Sequence, residues 1–277
     1  MLKISTLLEN STVRHNLLAQ HGQSLLIDLD SVKLLFDVGE IYEGFIYNLE
    51  RFGIGINEVS TIIISHRHID HIGSLPKLLP QLKSQKVLLP TQMGIPDLKK
   101  PGPKYVFIEE MEEGEYNVAA NAAVTSLLTS YAHAEVVESA REILPDFWTT
   151  GCVGTKMEEQ ALVYDQKELG LTIIVACSHP GLKTFVDKAR EITGNNKIRA
   201  IIGGFHFNSL TDEQVIEQAE YLISLNLECL MPNHCTGIKQ TELLRAHMPD
   251  TVKISKTYSV GTGNSVIINA EISFDYV

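Results

Sequence analysis

The segment Ser65-His66-Arg67-His68-Ile69-Asp70-His71-Ile72-Gly73 constrains this chain more than any other stretch. Three imidazoles and a carboxylate fall within six residues, directly behind the apolar, β-branched run Val59–Ser65. Such a run suits a buried strand. Residues two apart in extended backbone lean to the same side, which aligns His66 with His68. Asp70 and His71 follow where the chain turns toward a helix, so they face a second point close by. Imidazole and carboxylate donors together suit zinc, manganese or iron. So many donors read as part of a pair of metal ions bridged by water or hydroxide. A water held in this way has a pKa near about 7 and is a nucleophile at neutral pH. A histidine-rich surface loop would explain the residue types but not their spacing.

One such tetrad rarely fills two metal shells, so further histidines must arrive from elsewhere. The second half supplies three, each just after a predicted strand: His179 in Cys177-Ser178-His179-Pro180-Gly181, His206 in Gly203-Gly204-Phe205-His206, and His234 in Asn233-His234-Cys235-Thr236-Gly237. In α/β architectures, sites collect at the carboxyl ends of strands. A lone histidine there is most often structural or exposed, whereas three at equivalent positions point to one site. His21 either reaches the mouth of that site or lies on the surface. His15, His133 and His247 read as surface residues.

The surrounding pattern alternates strand and helix. Ser24–Asp30 and Lys33–Asp37 flank a short turn at Asp30-Ser31 and read as a β-hairpin. Residues 42–53 read as a helix ending at Gly53, a second helix runs from about Ser74 to Lys83, and Lys86–Leu89 is a strand. Residues 93–160, with Pro96, Pro101, Gly102, Pro103 and the Glu-rich stretch 109–115, read as strands and loops with one short helix. Ala161–Tyr164 and Leu171–Ala176 pair as strands. Leu182–Ile192 is a helix closed by Gly194. Ile198–Ile202 and Leu227–Met231 are strands around the helix Thr211–Asn226, which Thr211 caps. Ile238–Met248 is mostly helix, and Thr251–Lys256 and Ser265–Ile268 close the chain as strands. This order predicts sheets covered by helices, with no linker dividing residues 1–277 into independent domains.

Charge narrows the partners. The 277 residues hold 34 acidic and 23 basic side chains, a formal net charge of −11, which repels nucleic acid unless a basic patch focuses it. Lys99, Lys100 and Lys104 form the only such cluster. No apolar run reaches the ~18 residues of a membrane span. The start of the chain lacks a secretory signal, so a cytoplasmic protein is expected. No CxxC pair occurs among Cys152, Cys177, Cys229 and Cys235, and reduced thiols are expected.

His66-x-His68-x-Asp70-His71 after an apolar strand, preceded by Leu35-Phe36-Asp37-Val38-Gly39, resembles the metallo-β-lactamase superfamily. The resemblance implies an α/β (α+β) fold, a four-layer αββα sandwich of two similar halves. It implies His66 and His68 as ligands of a first metal, Asp70 and His71 of a second, and His234 as the last histidine ligand. The family's common threonine-proline-glycine-histidine segment is absent, and His179 takes the place of its histidine. Asp37 matches the aspartate that supports the histidine loop from behind, since ligating histidines need a partner on the other ring nitrogen. Many members carry a bridging aspartate where this chain reads Ala176-Cys177. Cys177 is then either a thiolate ligand or a buried neutral thiol. Ala19-Gln20-His21-Gly22, Cys177-Ser178-His179-Pro180-Gly181, Gly203-Gly204-Phe205-His206 and His234-Cys235-Thr236-Gly237 look like the dihydropterin-methyl-ribofuranosylaminobenzene-phosphate synthase branch.

The function expected is that of an enzyme with two divalent metal ions, zinc first and manganese or iron as alternatives. It would hydrolyse or transfer groups on a small, anionic, phosphorylated or ester substrate. Asp70 would orient the attacking hydroxide as well as bind metal. His206 would contact substrate phosphate or donate a proton, or else be a core histidine. A synthase-type transfer, with a pterin pyrophosphate attacked by an aromatic amine, is the alternative the branch implies. A metal-binding sensor without catalysis is another. The charge argues against a nucleic-acid phosphodiesterase. Histidine at position 68, where oxygen-reducing di-iron relatives carry glutamate, argues against that chemistry.

Overall fold

The computed structural model describes residues 1–92, 131, 133–255 and 261–275. The expectations for residues 93–130, including Lys99, Lys100 and Lys104, lie outside the described residues. The first half supplies strands β1 (Leu2–Leu8), β2 (Ser24–Leu29), β3 (Val32–Phe36), β4 (Val59–Ile63), β5 (Lys86–Leu89) and β6 (Ala134–Val136). Helices α1 (Tyr42–Arg51), α2 (Ile69–Ile72) and α3 (Leu75–Leu78) lie between them. The second half supplies β7 (Arg141–Leu144), β8 (Phe147–Thr149), β9 (Leu162–Asp165), β10 (Leu171–Val175), β11 (Ile198–Gly204), β12 (Cys229–Asn233) and β13 (Lys253–Ile254). Its helices are α4 (Leu182–Thr193), α5 (Asp212–Ser224) and α6 (Ile238–His247), and β14 (Ser265–Ile268) and β15 (Ile272–Asp275) complete the described elements.

Two sheets result. One runs β15-β14-β1-β2-β3-β4-β5-β6, the other β13-β12-β11-β10-β9-β8-β7. Side-chain alternation explains why they stack. Leu34 and Phe36 of β3 point into the cluster between the sheets with Ile63, Ile174, Ile202 and Met231, while Leu35 and Ile62 point outward against Phe45, Leu49, Leu75 and Leu78 of the first helix layer. On the far side Ile173, Val175 and Ile201 meet Phe185, Val186, Val215, Ala219 and Leu244 of α4, α5 and α6. The layers are therefore helix, sheet, sheet, helix, as expected. β10 and β11 are buried along their whole length, which is why they read as unbroken apolar runs.

Local signals held at most boundaries. Asp30 and Ser31 both have positive φ, as a two-residue hairpin turn matched to strand twist requires. Thr211 Oγ1 accepts a hydrogen bond from the Gln214 backbone amide and Gln214 Oε1 accepts one from the Thr211 backbone amide, a closed capping box. The helix expected over Ser74–Lys83 is different: α3 is one turn, followed by a 3-10 turn at Leu79–Gln81. Pro80 lacks the N–H that would extend the ladder. β1 gave no clear strand signal because Lys3, Ser5 and Thr6 interrupt its apolar residues. The sheet absorbs Ser5 by pairing its hydroxyl with that of Ser265 at 2.8 Å. Thr251–Lys256 shortens to β13, with Lys256 outside the described residues.

Topology then sets the site. β1 and β3 run the same way, β3, β4 and β5 are parallel, and so are β10, β11 and β12. The carboxyl ends of β1, β3 and β4 are thereby brought against those of β10, β11 and β12. β9 is antiparallel to β10, so its amino end, Glu159-Gln160, arrives at the same place.

Candidate metal centre

β4 delivers Ser65 and His66 in extended backbone. His68, still extended at ψ 141°, caps the single turn α2, which carries Asp70 and His71. This switch from strand to helix splits the tetrad between two points. At the first, His66 Nε2 and His179 Nε2 each lie 3.0 Å from His68 Nδ1. At the second, Asp70 Oδ2 lies 3.5 Å from His71 Nε2 and 3.1 Å from His234 Nε2. Cys177 stands between them. Its Sγ is 3.2 Å from His71 Nε2, and its donor atom groups within 4.8 Å both with those of His66 and His179 and with those of His71 and His234. Donors on a common tetrahedral ion with bonds of ~2.0–2.3 Å stand roughly 3.3–3.8 Å apart. The observed gaps are close to that spacing.

A second layer fixes the rings. Asp37 Oδ2 lies 2.6 Å from His71 Nδ1, and the same carboxylate accepts the Ser65 amide at 2.7 Å and the Ser65 hydroxyl at 2.7 Å. That hydroxyl in turn meets His66 Nδ1 at 2.8 Å. One carboxylate therefore holds a proton on the outer nitrogen of two histidines and turns their inner nitrogens toward the site. His234 Nδ1 faces Asn10 Oδ1 at 3.2 Å, with the same consequence, and its amide donates to Glu9. Glu159 accepts the amides of Cys177, Ser178 and His179 at 2.8–2.9 Å. Gln160 donates to the Ile64 carbonyl across the sheets. Asp37, Ser178, His206 and His234 all have φ between 47° and 63°. Each costs of order 1–3 kcal/mol, concentrated around one site.

The description "Metallo-beta-lactamase superfamily" belongs to the family model that matches residues 20–120, a span containing Asp37 and the whole tetrad. Tm1679, a metal-dependent hydrolase of the β-lactamase superfamily, superposes with a TM-score of 0.67 over 97% of this chain and 99% of that one, at 22% identity. The fold is that of the metallo-β-lactamase superfamily. YhfI from Bacillus subtilis, another metallo-β-lactamase-fold protein, gives 0.59 over 96% and 99% at 12% identity. In sequence, the chain is similar to the 7,8-dihydropterin-6-methyl-4-(β-D-ribofuranosyl)-aminobenzene-5'-phosphate synthase of Methanocaldococcus jannaschii. They share 27% identity over 247 residues, 80% of this chain and 82% of that protein.

The metallo-β-lactamase fold implies metal, and the donors present fit it. Burial, then repulsion among neighbouring imidazoles, holds His66 well below the usual histidine range. Burial leads again at His68, lowered to about 4 with Asp70 opposing, and at His179, lowered to about 3. These rings are neutral at pH 7, and the inner nitrogens of His66 and His179 converge on His68 Nδ1 at 3.0 Å, an arrangement that a cation between the three would suit. Burial also presses His71 down, but the Asp70 and Asp37 carboxylates outweigh it and hold His71 at about 9. Asp70 is held below the usual carboxylate range: burial raises it, and the surrounding histidines more than compensate. Nitrogen, oxygen and sulfur donors in this mixture suit zinc or iron rather than magnesium or calcium.

The structure brings the expected residues together: His66, His68, Asp70, His71, His179 and His234 lie around two points, with Cys177 between them and Asp37 behind. His206 lies beside His179 with ring centroids 4.5 Å apart and the rings tilted by 53°, and its buried Nδ1 has no hydrogen-bond partner among the described residues. His21 stands at the rim, 3.0 Å from Glu40 and 3.7 Å from Asp70. His15, His133 and His247 are exposed. Glu9, Ser65, Glu159 and Cys235 were not legible in advance. Glu9 and Glu159 act on amides distant in sequence, and one glutamate among many carries no local mark. Cys235 adjoins Cys177 and His206 only because β10, β11 and β12 are neighbours. No helix among the described residues is long and apolar enough to cross a membrane.

Proposed function

We propose that the chain is a two-metal enzyme, with zinc the first choice, acting on a small phosphorylated or ester substrate. The observation that carries this is the shared position of Cys177, whose sulfur groups with donors of both histidine sets. His66, His68 and His179 would hold one ion, Asp70, His71 and His234 the other, and Cys177 would stand between the two. When bound, the ions would supply positive charge at the reacting oxygen and a water acidic enough to attack at neutral pH. The chain's own residues do the rest. Asp37 keeps the His71 and His66 lone pairs turned inward. Asp70, facing the cleft beside His234, aims the nucleophile. His206, half-buried beside His179, delivers a proton to the departing oxygen, as Cys235 beside it raises its pKa.

The similarity to the Methanocaldococcus jannaschii synthase favours a second reading, transfer of a pterin-methyl group to an aromatic amine with pyrophosphate leaving. In that case the same site holds the departing pyrophosphate rather than aiming water. The first experiment is elemental analysis of freshly purified protein beside His234→Ala, followed by turnover assays with bis(p-nitrophenyl) phosphate and with a dihydropterin pyrophosphate plus an aminobenzene acceptor. About two ions per chain, fewer in the variant, with diester cleavage, supports hydrolysis. Pyrophosphate release that requires the amine supports transfer. One ion or none, unchanged in His234→Ala, overturns the two-metal reading.

A further inference from the structure

A cleft of about 470 Å³ opens directly beside the metal centre. His179 forms one wall with Pro180, the first turn of α4 contributes Thr184, and the loop between β8 and β9 closes the opposite side with Thr155, Lys156 and Met157. That loop is built in, not draped. Val153 and Glu159 exchange both backbone hydrogen bonds at 2.9 and 3.0 Å, and the Glu158 amide donates to Gln92. Gly154 packs so closely that a Cβ there would lie 3.0 Å from Pro180 Cγ. The loop tip is therefore fixed against the corner that carries His179.

Among the described residues, Lys156 is the one lysine or arginine lining this cleft. In a chain with an acidic excess of eleven, many lysines pair with carboxylates, among them Lys3, Lys77, Lys183 and Lys239. Lys156 has no ion-pair or hydrogen-bond partner among the described residues. Thr155 adds a hydroxyl, and Met157 and Pro180 add apolar surface for a ring or carbon chain. The volume falls within the ~300–1,000 Å³ of small-molecule pockets.

We propose that this cleft is a substrate subsite for a phosphate-bearing tail, with Lys156 as its specificity-determining residue: the reacting group lies at the metal centre while a phosphomonoester one residue-width away is held by Lys156. The proposal rests on the reading that substrate reacts at the His66–His234 centre, and it adds where the remainder of the molecule lies. A charge-assisted hydrogen bond from Lys156 to a phosphate is worth about tenfold or more in affinity.

The test uses the metal-loaded protein and two probes of one shape class, phenylphosphonate and the neutral benzyl alcohol. Dissociation constants are measured by calorimetry in wild type, Lys156→Ala and Lys156→Arg. The expected result is a preference for phenylphosphonate that falls about tenfold in Lys156→Ala and is retained in Lys156→Arg. An unchanged preference in Lys156→Ala means that the anion sits on the metals alone, and overturns the subsite. Binding is read independently of turnover. A Lys156-dependent preference in a protein that cleaves no diester would overturn the hydrolytic reading and leave the subsite standing.

Discussion

Asp37 Oδ2 lies 2.6 Å from His71 Nδ1, with both side chains fully buried. Asp37 follows β3 and His71 sits on α2, so this contact ties the strand end to the helix turn that carries half of the tetrad. It also decides which nitrogen of His71 faces the site. Asp37→Asn places an amide donor against the donors of Ser65 and His71, and the ring must turn or change tautomer. Metal affinity should fall about 10- to 100-fold, measured by competition with a chromophoric chelator. An affinity equal to wild type would show that Asp37 has only a packing role.

Removing metal should destabilise the fold without abolishing it. The sheets and their three apolar clusters do not depend on the site, whereas the crowded, neutral imidazoles do. At free metal a thousandfold above its dissociation constant, binding contributes about 4 kcal/mol. That corresponds to a loss on the order of 10 °C in melting temperature on chelation. His68→Ala should melt near the chelated wild type and be insensitive to added zinc. Scanning calorimetry with and without zinc decides; a chelated protein that melts unchanged refutes the claim.

Cys177 offers a spectroscopic test. Loaded with cobalt in place of zinc, the wild type should show a thiolate-to-metal charge-transfer band that Cys177→Ser loses. Cys177→Asp, which restores a carboxylate between the two points, should keep the metal content but not the band. A band that survives Cys177→Ser would assign the thiolate to Cys235 instead.

Glu159 predicts a pH dependence. Burial pushes its carboxyl up to about 7 from an ordinary 4.5, although three amides donate to it. A group raised on folding contributes stability that is full below its unfolded value and is lost as pH climbs to its folded value. Between pH ~4.5 and ~7 the chelated wild type should therefore lose ground to Glu159→Gln, by about 3 kcal/mol in total. Urea melts of both proteins across that range provide the check, and parallel curves would contradict it.

Much of this protein was legible before any coordinates. His66, His68, Asp70 and His71 follow one strand within a few residues, so local backbone geometry alone brings their side chains close together. The apolar runs of β10 and β11, the turn at Asp30-Ser31 and the Thr211 cap are equally local signals, written by residues that touch. The helix after Ser74 breaks, despite its continuous apolar spacing, because Pro80 lacks the N–H that would carry it onward. β1 carries no local strand signal because Ser5 and Lys3 find their side-chain partners in Ser265 of β14 and Asp275 of β15, more than 250 positions away.

The sequence by itself determined the chemistry: which donors exist, that four of them lie within six residues, and that His179, His206 and His234 each follow a strand. Only the tertiary structure decided the assembly. The parallel order of β10, β11 and β12 sets Cys177 between two histidine groups, brings Cys235 beside it, and turns the buried Glu159 onto three amides. Those relationships rest on strand order and on contacts between residues up to more than two hundred positions apart. A local pattern records which residues a chain has, but the cost of burying their polar groups is settled only by what the rest of the fold places opposite them.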